Sequence, residues 1–266
     1  MTIQNQNIDG GAAFDFGRTS ADYAVYRDIY PPIFFQKLLD RGLGVAGQSI
    51  LDLGTGTGVL PRAMYSYGAR WTGVDISSEQ IAEAKRLAAE SGMDIRFEAV
   101  AAEEAAFAEG LFDGVTACQC FSYFNHAALS PKLARWLKPG GRLAVLYMAW
   151  LPDEDPIAGA SERLALQVNP DWTGAGERMR PIAIPDAVTA YFDPVDHEEY
   201  MLDVPFTKET WHGRMRTCRG IGASLSPERL AAWECDHKAL LDRIAPDTFT
   251  VKHYAAIAVL KKRETL

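Results

Sequence analysis

Two short stretches of the sequence carry residues that suit the binding of a nucleoside. ILDLGTGTGVL (residues 50–60) is an apolar run that ends in an acidic residue and then has three alternating glycines: Asp52, Gly54, Gly56 and Gly58. GVDIS (residues 73–77) is a second apolar run, and it ends in Asp75. Glycines let a backbone approach a ligand closely, and a carboxylate after the next strand can accept both hydroxyls of a ribose. The pair of stretches therefore predicts a nucleoside site.

The spacing of the glycines argues against two phosphate-binding loops. A P-loop needs Gly-Lys-Ser/Thr, but Val59 and Leu60 follow Gly58. The dinucleotide pattern G-x-G-x-x-G would place its third glycine at Val59, which disfavours a nicotinamide-dependent oxidoreductase. The other end of the nucleoside is therefore not a pyrophosphate. S-adenosylmethionine fits, because its methionine end carries an ammonium group near which Asp52 would place a negative charge.

Strand-like and helix-like patterns alternate around these stretches. Strands are predicted over residues 49–53, 71–76, 95–99, 114–118 and 142–149, and helices over 59–67, 78–91 and 129–137. This alternation predicts an α/β fold with a mostly parallel sheet and helices on both faces. The glycine loop then lies at the carboxyl end of a parallel strand, where open α/β sheets bind ligands.

The flanking sequence suggests four segments. Residues 1–45 are expected to form a helical cap, with one or two helices over 21–41 interrupted at Pro31-Pro32, and residues 46–150 the cofactor-binding core. Residues 151–197, rich in proline and glycine, are expected to be a substrate lid, since long irregular segments are often functional. Residues 198–266 are expected to complete the core with strands at 200–206 and 250–260 around a helix at 227–244.

Several of these stretches together resemble the class I S-adenosylmethionine-dependent methyltransferases, in particular the small-molecule branch similar to enzymes of ubiquinone and menaquinone biosynthesis. LDLGTGTG resembles motif I and GVDIS motif II. RFEAVAAEEAAF, FDGVTACQCFSYF and LARWLKPGGRLAVLYM are similar to the segments around the third, fourth and fifth strands. The ending HYAAIAVLKK suits the reversed last strand of that family's Rossmann-like, seven-stranded sheet.

The resemblance implies S-adenosylmethionine as the cofactor and methyl transfer to an oxygen, nitrogen or carbon atom of a small molecule as the activity. The implied cofactor-binding residues are Tyr26, Arg27, Asp52, Gly54, Thr55, Gly56, Gly58, Asp75, Ile76, Ala102, Glu103, Cys118, Gln119 and Phe121. The chain departs from the family at Ala101, where relatives carry the aspartate that usually contacts the adenine amino group. Ala102 and Glu103 are the remaining candidates for that contact. The alternative for Tyr26 and Arg27 is ordinary helix packing.

Candidates for the substrate side lie after the fourth strand and in a second stretch. Tyr123 and His126, two candidates for catalysis, follow the fourth strand, which lacks the Asn/Asp-Pro-Pro-Tyr motif of enzymes that methylate amide or adenine nitrogens. The alternative for His126 is a surface residue that caps a helix. The second stretch is TWHGRMRTCRGIGASL (residues 210–225). In it, His212 is the candidate for a general base, because the unperturbed pKa of histidine lies near neutrality. Arg214 is the candidate for binding a carboxylate or phosphate with two parallel hydrogen bonds. The expected substrate-binding residues are Tyr23, Trp150, Trp172, Trp211 and Arg214. The alternative for the second stretch is a solvated surface helix.

The composition limits the partners and the compartment. A formal charge of −8 disfavours a nonspecific grip on nucleic acid or on an anionic membrane. The polar start MTIQNQNIDGGAAFDFG has no apolar core of a signal peptide, and four cysteines suggest reduced thiols and a cytoplasmic protein. Cys-x-Cys at Cys118 and Cys120 with two distant cysteines is not a zinc motif, so no metal is expected.

Two other functions are consistent with the sequence. The cysteines Cys118, Cys120 and Cys218 suggest methylation of a thiol or of arsenite, although small buried side chains would explain them as well. A nucleoside-binding protein without catalysis would need the same glycine loop and acidic residue. The substrate and the oligomeric state do not follow from the sequence.

Overall fold

The computed structural model of the chain describes residue 4 and residues 8–264. Seven strands form one sheet in the order β3-β2-β1-β4-β5-β7-β6. Their bounds are β1 Ser49–Leu53, β2 Arg70–Asp75, β3 Arg96–Ala99, β4 Phe112–Cys118, β5 Leu137–Trp150, β6 Phe192–Thr207 and β7 Thr248–Lys262. The α-helices of the described part are α1 Ser20–Tyr26, α2 Pro32–Asp40, α3 Val59–Met64, α4 Ser78–Glu90, α5 His126–Trp136, α6 Pro156–Val168, α7 Asp186–Thr189, α8 Lys208–Arg216 and α9 Pro227–Ile244.

The first five strands are parallel and the sheet contains one reversed strand, which confirms the predicted Rossmann-like fold. The central strand β1 has β2 on one side and β4 on the other. Asp52 therefore lies opposite Gly73 of β2 and Thr116 of β4. The order of the strands along the chain thus changes direction at β1. In open α/β sheets, ligands bind at the carboxyl ends of the strands next to such a point.

The chain divides into two compact units. The sheet unit comprises Tyr30–Met148, Arg180–Glu199 and the described residues from Ala255 onward. The helical unit comprises the described residues up to Ile29, Ala149–Met179 and Tyr200–Tyr254. The four segments expected from the sequence follow different boundaries, since residues 151–197 are shared between the two units.

The core of the sheet unit forms where apolar strands meet amphipathic helices. Leu51, Val115 and Val145 from the centre of the sheet pack with Leu133 and Trp136 of α5. A second cluster buries Ile81, Ala84 and Ala88 of α4 against Phe97 of β3. This burial holds the strands rigidly, so that the loops at their ends have a fixed platform.

In the helical unit, α6 and α8 both pack against α9, and α1 packs against α8. One ionic contact ties the first described residues to this unit. The carboxylate of Asp9, which is 4% exposed, accepts hydrogen bonds from Arg219 at 2.7 and 3.0 Å and from the backbone N–H of Thr173 at 2.7 Å. We refer to this contact as the Asp9 clasp.

Two parts of the structure differ from the expectation. The segment 151–197 is not wholly irregular, because it contains the 13-residue helix α6, which begins at Pro156 after the N-cap residue Asp155 and buries Ala158, Ser161 and Ala165. Strand β5 begins at Leu137 rather than near residue 142. It includes the Pro-Gly-Gly turn signal, which the strand accommodates with Gly140 at φ 73° and a register shift against β4. No helix in the described residues is long and apolar enough to cross a membrane.

Candidate functional site

The glycine loop after β1 has a backbone that requires glycine. Gly54 and Gly58 have φ of 55° and 73°, in the left-handed region. A Cβ atom on Gly54 would lie 2.8 Å from the side chain of Cys120, and one on Gly58 would lie 2.7 Å from the ring of Phe97. The N–H of Thr55 donates to the carbonyl of Val74 at 2.9 Å, so the loop is fixed to β2.

Asp75 is oriented toward the glycine loop by two backbone amides. Its carboxylate accepts from the N–H of Gly56 and from the N–H of Ser77, both at 2.9 Å. Burial raises the pKa of Asp75, while these two hydrogen bonds act in the opposite direction. The side chain is half-buried, and Ile76 beside it is exposed. An oriented carboxylate with spare acceptor sites beside an apolar side chain suits a ribose and its attached base.

Asp52 is almost completely buried at the end of β1. It is 2% exposed and accepts a hydrogen bond from the hydroxyl of Thr116 at 2.6 Å. Desolvation by burial raises the pKa of Asp52 to about 7; the negative charge of Asp75 adds to this, and hydrogen bonds from Thr116 and Thr55 oppose it. The carboxyl group can therefore change its charge near neutrality when a cation approaches.

A strained turn follows β4. Gln119 is a non-glycine residue at φ 68°, a conformation that costs free energy and occurs often at functional sites. Its backbone N–H donates to Leu146 at 2.9 Å and its side-chain amide to the carbonyl of Met148 at 2.6 Å. The thiol of Cys120 donates to the carbonyl of Leu53 at 3.0 Å. These bonds hold the turn after β4 against the ends of β1 and β5.

The residues after this turn are held by α5. The rings of Phe121 and His126 lie 4.3 Å apart, and desolvation lowers the pKa of His126.

The carboxylate of Glu103 accepts from the backbone N–H of Asn125 at 2.7 Å, so one of its oxygens is already engaged at the start of α5. Ala102 packs its side chain into the core, which leaves only its backbone for a ligand. Tyr123 lies just before α5 and is half-buried.

The two cysteines near this turn are half-buried and carry free thiols. Desolvation raises the pKa of Cys118 and of Cys120, with a further contribution from the charge of Asp52. Both are therefore protonated at neutral pH and poor ligands for a soft ion. Within the described ranges, no group of three or more His, Cys, Asp or Glu residues is arranged to hold a metal. Methylation of a thiol or of arsenite stays a prediction.

The second stretch singled out in the sequence is not a surface helix. Trp211, His212 and Arg214 of α8 are 0%, 9% and 5% exposed, so the alternative of a solvated face is wrong. The guanidinium of Arg214 lies 4.9 Å from the ring centroid of Trp150. Trp150 in turn contacts Trp172 and Trp211.

These tryptophans form the interior of the helical unit. The Nε1–H of Trp150 donates to Glu162 at 2.8 Å and that of Trp211 to Ser161 at 2.9 Å. Fully buried Trp211 has no surface to offer a substrate, which corrects its expected role as a pocket wall. Trp150 and Trp172, at 4% and 5% exposure, present almost none. They were expected to bind substrate because sequence does not distinguish an aromatic wall from an aromatic core.

Three further predicted residues come from α1 and its end. Arg27 donates to the hydroxyl and the carbonyl of Thr217, both at 3.0 Å, and lies over the ring of Tyr23 at 4.8 Å. Tyr26 packs against Gly213, where an added Cβ would lie 2.4 Å from its ring. These contacts match the alternative of helix packing within the helical unit.

Tyr26 also lines a cavity of about 520 Å³ together with His212. All residues around this cavity belong to α1, α8 and α9 of the helical unit. We refer to it as the His212 cavity.

The predicted cofactor residues of the sheet unit thus gather at the carboxyl ends of β1, β2 and β4. Sequence reasoning missed Thr116, the partner of Asp52, although a hydroxyl on the neighbouring strand at the matching register was a usable signal. It also missed His237, which contacts His212 at 2.9 Å. The spacing of Trp233 and His237, four residues apart on one face of α9, was the available signal for that contact.

The chain is similar to known proteins over part of its length. Residues 50–141 match a family model described as a methyltransferase domain. The ubiquinone biosynthesis O-methyltransferase of Sodalis glossinidius (strain morsitans) is 35% identical over 117 residues, which are 42% of this chain and 46% of that relative. The chain therefore spans about half the length of the curated relatives it matches.

Two solved structures share the fold. A phosphoethanolamine N-methyltransferase 2 from Haemonchus contortus, solved with phosphomonomethylethanolamine and S-adenosylhomocysteine, has a TM-score of 0.54 and 20% identity, covering 92% of this chain and 58% of its own. The cyclase SpnF has a TM-score of 0.52 and 22% identity, covering 86% of this chain and 80% of its own. The domain match and the relatives lead to one conclusion: residues 50–141 form a methyltransferase domain, and the cofactor that this similarity implies is S-adenosylmethionine.

Proposed function

We propose that the protein transfers a methyl group from S-adenosylmethionine to a small molecule. The observation that carries the proposal is the carboxylate of Asp75, held at the end of β2 by the amide of Gly56 in the glycine loop at 2.9 Å. It would accept hydrogen bonds from the ribose hydroxyls. The loop of Gly54, Thr55 and Gly56 would lie along the methionine end, near the carboxyl group of Asp52.

Bound S-adenosylmethionine supplies a methyl group on a positively charged sulfur, an electrophile that needs no further activation. The protein then has to align the acceptor atom with the methyl group and exclude water. Asp52 balances positive charge at the methionine end, and Gln119, with its strained backbone, fixes the turn after β4. Phe121, Tyr123 and His126 follow that turn and are the candidates in the sheet unit for contact with the acceptor.

The acceptor atom is proposed from the relatives. Curated proteins that match this chain are named for O-methylation in ubiquinone biosynthesis, so a phenolic hydroxyl is the acceptor we propose first. A phenol must lose its proton during the transfer, and a half-buried imidazole with a lowered pKa, such as His126, is neutral at pH 7 and can accept it. The proposed balance is one C–O bond formed, one C–S bond broken and one proton taken up by the base.

The proposal is tested by measuring S-adenosylhomocysteine formed from S-adenosylmethionine with a catechol, an amine and a thiol as acceptors. We expect turnover with the catechol. The fold alone does not predict turnover, because SpnF shares it and is described as a cyclase. Cofactor binding without turnover on any acceptor would instead favour a nucleoside-binding protein.

Asp75→Ala tests the ribose contact directly. We expect the variant to bind S-adenosylmethionine more weakly by about 1–3 kcal/mol, the size of lost charge-assisted hydrogen bonds. Asp94→Ala, which removes an exposed carboxylate before β3, is the matched control and should bind normally. Equal affinities for the two variants in calorimetry would contradict the assignment of Asp75 to the ribose.

A further inference from the structure

A chain of hydrogen bonds connects three buried side chains in the helical unit. The hydroxyl of Ser161 lies 2.8 Å from the carbonyl of Ile157, one turn earlier in α6. It also lies 3.0 Å from Nε2 of His237, whose Nδ1 lies 2.9 Å from Nδ1 of His212. The hydroxyl accepts in addition from Nε1–H of Trp211 at 2.9 Å.

These contacts determine which nitrogen atoms carry protons. Ser161 has one hydroxyl proton, and the carbonyl of Ile157 can only accept, so the proton points to that carbonyl. Nε2 of His237 must then be the donor to Ser161. Burial lowers the pKa of His237 to about 3, so its ring is neutral and its Nδ1 is an acceptor. Nδ1 of His212 therefore carries a proton, and this N–H donates a hydrogen bond to Nδ1 of His237. Burial lowers the pKa of His212 as well, so its ring is neutral and its Nε2 is left as an acceptor.

His212 holds this acceptor in a fixed orientation at the His212 cavity. Its ring stacks on Trp233 at 5.4 Å and on His237 at 5.1 Å. The residue is 9% exposed, it lines the cavity, and no hydrogen bond within the described part of the chain occupies its Nε2. Nor is Nε2 among the fully buried atoms without a partner, so it is open to the cavity. A ligand here must bring a hydrogen-bond donor.

The charges around the cavity favour a positively charged donor. The guanidinium of Arg216 is flanked by two carboxylates, those of Asp22 and Glu234. Lys208 is likewise near two carboxylates, at 3.3 Å from Asp242 and 3.6 Å from Asp247. The lining carries four carboxylates, those of Asp22, Glu209, Glu234 and Asp242, against the three cations Lys208, Arg216 and Lys238, so its formal charge is negative. The charge of Lys238 lowers the pKa of His212 and that of Glu234 raises it, so the ammonium group of a ligand has to lie on the side of the carboxylates.

We propose that the His212 cavity binds a small protonated amine, one N–H of which donates to Nε2 of His212. The surrounding carboxylates attract the cation, and the volume of about 520 Å³ accommodates a compact organic molecule. The proposal goes beyond methyl transfer, because the cavity lies in the helical unit and binding there requires no cofactor.

The proton positions are tested first, on the full chain with ¹⁵N-labelled histidine. NMR spectra that correlate ring nitrogens with ring protons should show His212 protonated at Nδ1 and unprotonated at Nε2, and His237 the reverse. His212→Phe assigns the signals and keeps an aromatic ring on Trp233. Protonation of His212 at Nε2 would overturn the proposal, since the cavity would then present a donor.

Binding is tested with propylammonium chloride as the probe and sodium propionate as the counterpart of opposite charge, both without cofactor. We expect saturable shifts of His212 Nε2 with propylammonium and none with propionate. His212→Phe should weaken binding of propylammonium about tenfold or more, the loss expected for a hydrogen bond to a charged group. The matched control is His197→Phe, the same substitution at an exposed histidine, which should leave the affinity unchanged.

Three results would overturn the proposal: no saturable binding of propylammonium, preference for propionate, or equal affinity in folded His212→Phe. Near-ultraviolet circular dichroism checks that the variant keeps its packed core. None of these results bears on the ribose assignment of Asp75, which has its own binding test.

Discussion

Asp52 illustrates how much of the site depends on a single side chain whose charge is set by its surroundings. Its carboxyl group is buried beside Thr116 and has a pKa of about 7, far above that of an exposed aspartate. A cation placed next to it would favour the ionised form. The proposed ammonium group of the cofactor is such a cation.

Cofactor binding should therefore release a proton from Asp52 when the pH lies just below 7. The apo protein is protonated at this position in about half of the molecules at pH 7 and in most of them at pH 6, whereas the complex is ionised. Affinity should therefore rise as the pH increases toward 7 and level off above it. Calorimetry in two buffers with different heats of ionisation measures the released proton. Asp52→Asn should bind with no such release; a wild-type protein that releases none would place the ammonium elsewhere.

Sequence predicted Asp52 and Asp75 because a strand that ends in a carboxylate has a local signature. It did not predict Thr116, because the contact depends on the register between β1 and β4. Nor did it predict that Arg214 is buried, since its packing partner Trp150 lies far away in the sequence. The residues that could be predicted are those whose position is set by the local sequence around them. The residues that could not be predicted are those whose position depends on a contact with a residue far away in the sequence.

The same distinction applies to whole elements. Strand β1 and helix α9 have the predicted bounds, Ser49–Leu53 and Pro227–Ile244, and α9 begins with a Ser226 cap and a proline at its first position. Helix α6 was missed although Asp155 and Pro156 form the same signal. The surrounding prolines and glycines outweighed it, and its stability comes from packing against α9.

The glycine loop can be tested with a matched pair of substitutions. Gly54 and Gly140 both have left-handed backbones, at φ 55° and 73°, so alanine is strained at either position. Only at Gly54 would the new Cβ meet a neighbour, the side chain of Cys120 at 2.8 Å, whereas nothing lies within 4 Å at Gly140. Gly140→Ala should therefore cost about 1 kcal/mol of unfolding free energy.

Gly54→Ala should cost about 1–3 kcal/mol more, because the overpacked side chain forces the loop to move. It should also weaken cofactor binding, which Gly140→Ala should not. Urea denaturation and calorimetry measure the two effects. Equal stabilities of the two variants would mean that the loop tolerates a side chain at Gly54.

At the scale of the whole molecule, buried histidines make stability depend on pH. Burial lowers the pKa of His237 and of His253 from 6.5 to about 3. Above pH 6.5 both are neutral in the folded and unfolded chain, and their contribution is fully present. Between about pH 6.5 and 3 only the unfolded chain takes up the protons. As the pH falls through this range, each histidine therefore lowers the unfolding free energy by about 1.4 kcal/mol per pH unit.

Asp52 changes the stability in the opposite direction. Because its pKa is raised in the folded chain, the folded chain takes up this proton first, and the unfolding free energy increases as the pH falls below about 7. The informative quantity is therefore the difference between the wild type and His237→Phe. From pH 7 to pH 5, urea denaturation should show the wild type losing more stability than the variant. Parallel pH profiles would contradict the assignment of a neutral, buried His237.

The Asp9 clasp has a consequence for the life of the protein in a cell. If cleavage removed Asp9, Arg219, whose side chain is 12% exposed, would lose its carboxylate in a nearly dry environment, a loss that costs about 3 kcal/mol or more. That is a large share of the total stability of a typical domain. The trimmed chain would unfold more often and be cleared by quality-control proteases, so its abundance would fall while the chemistry of each surviving molecule stayed intact.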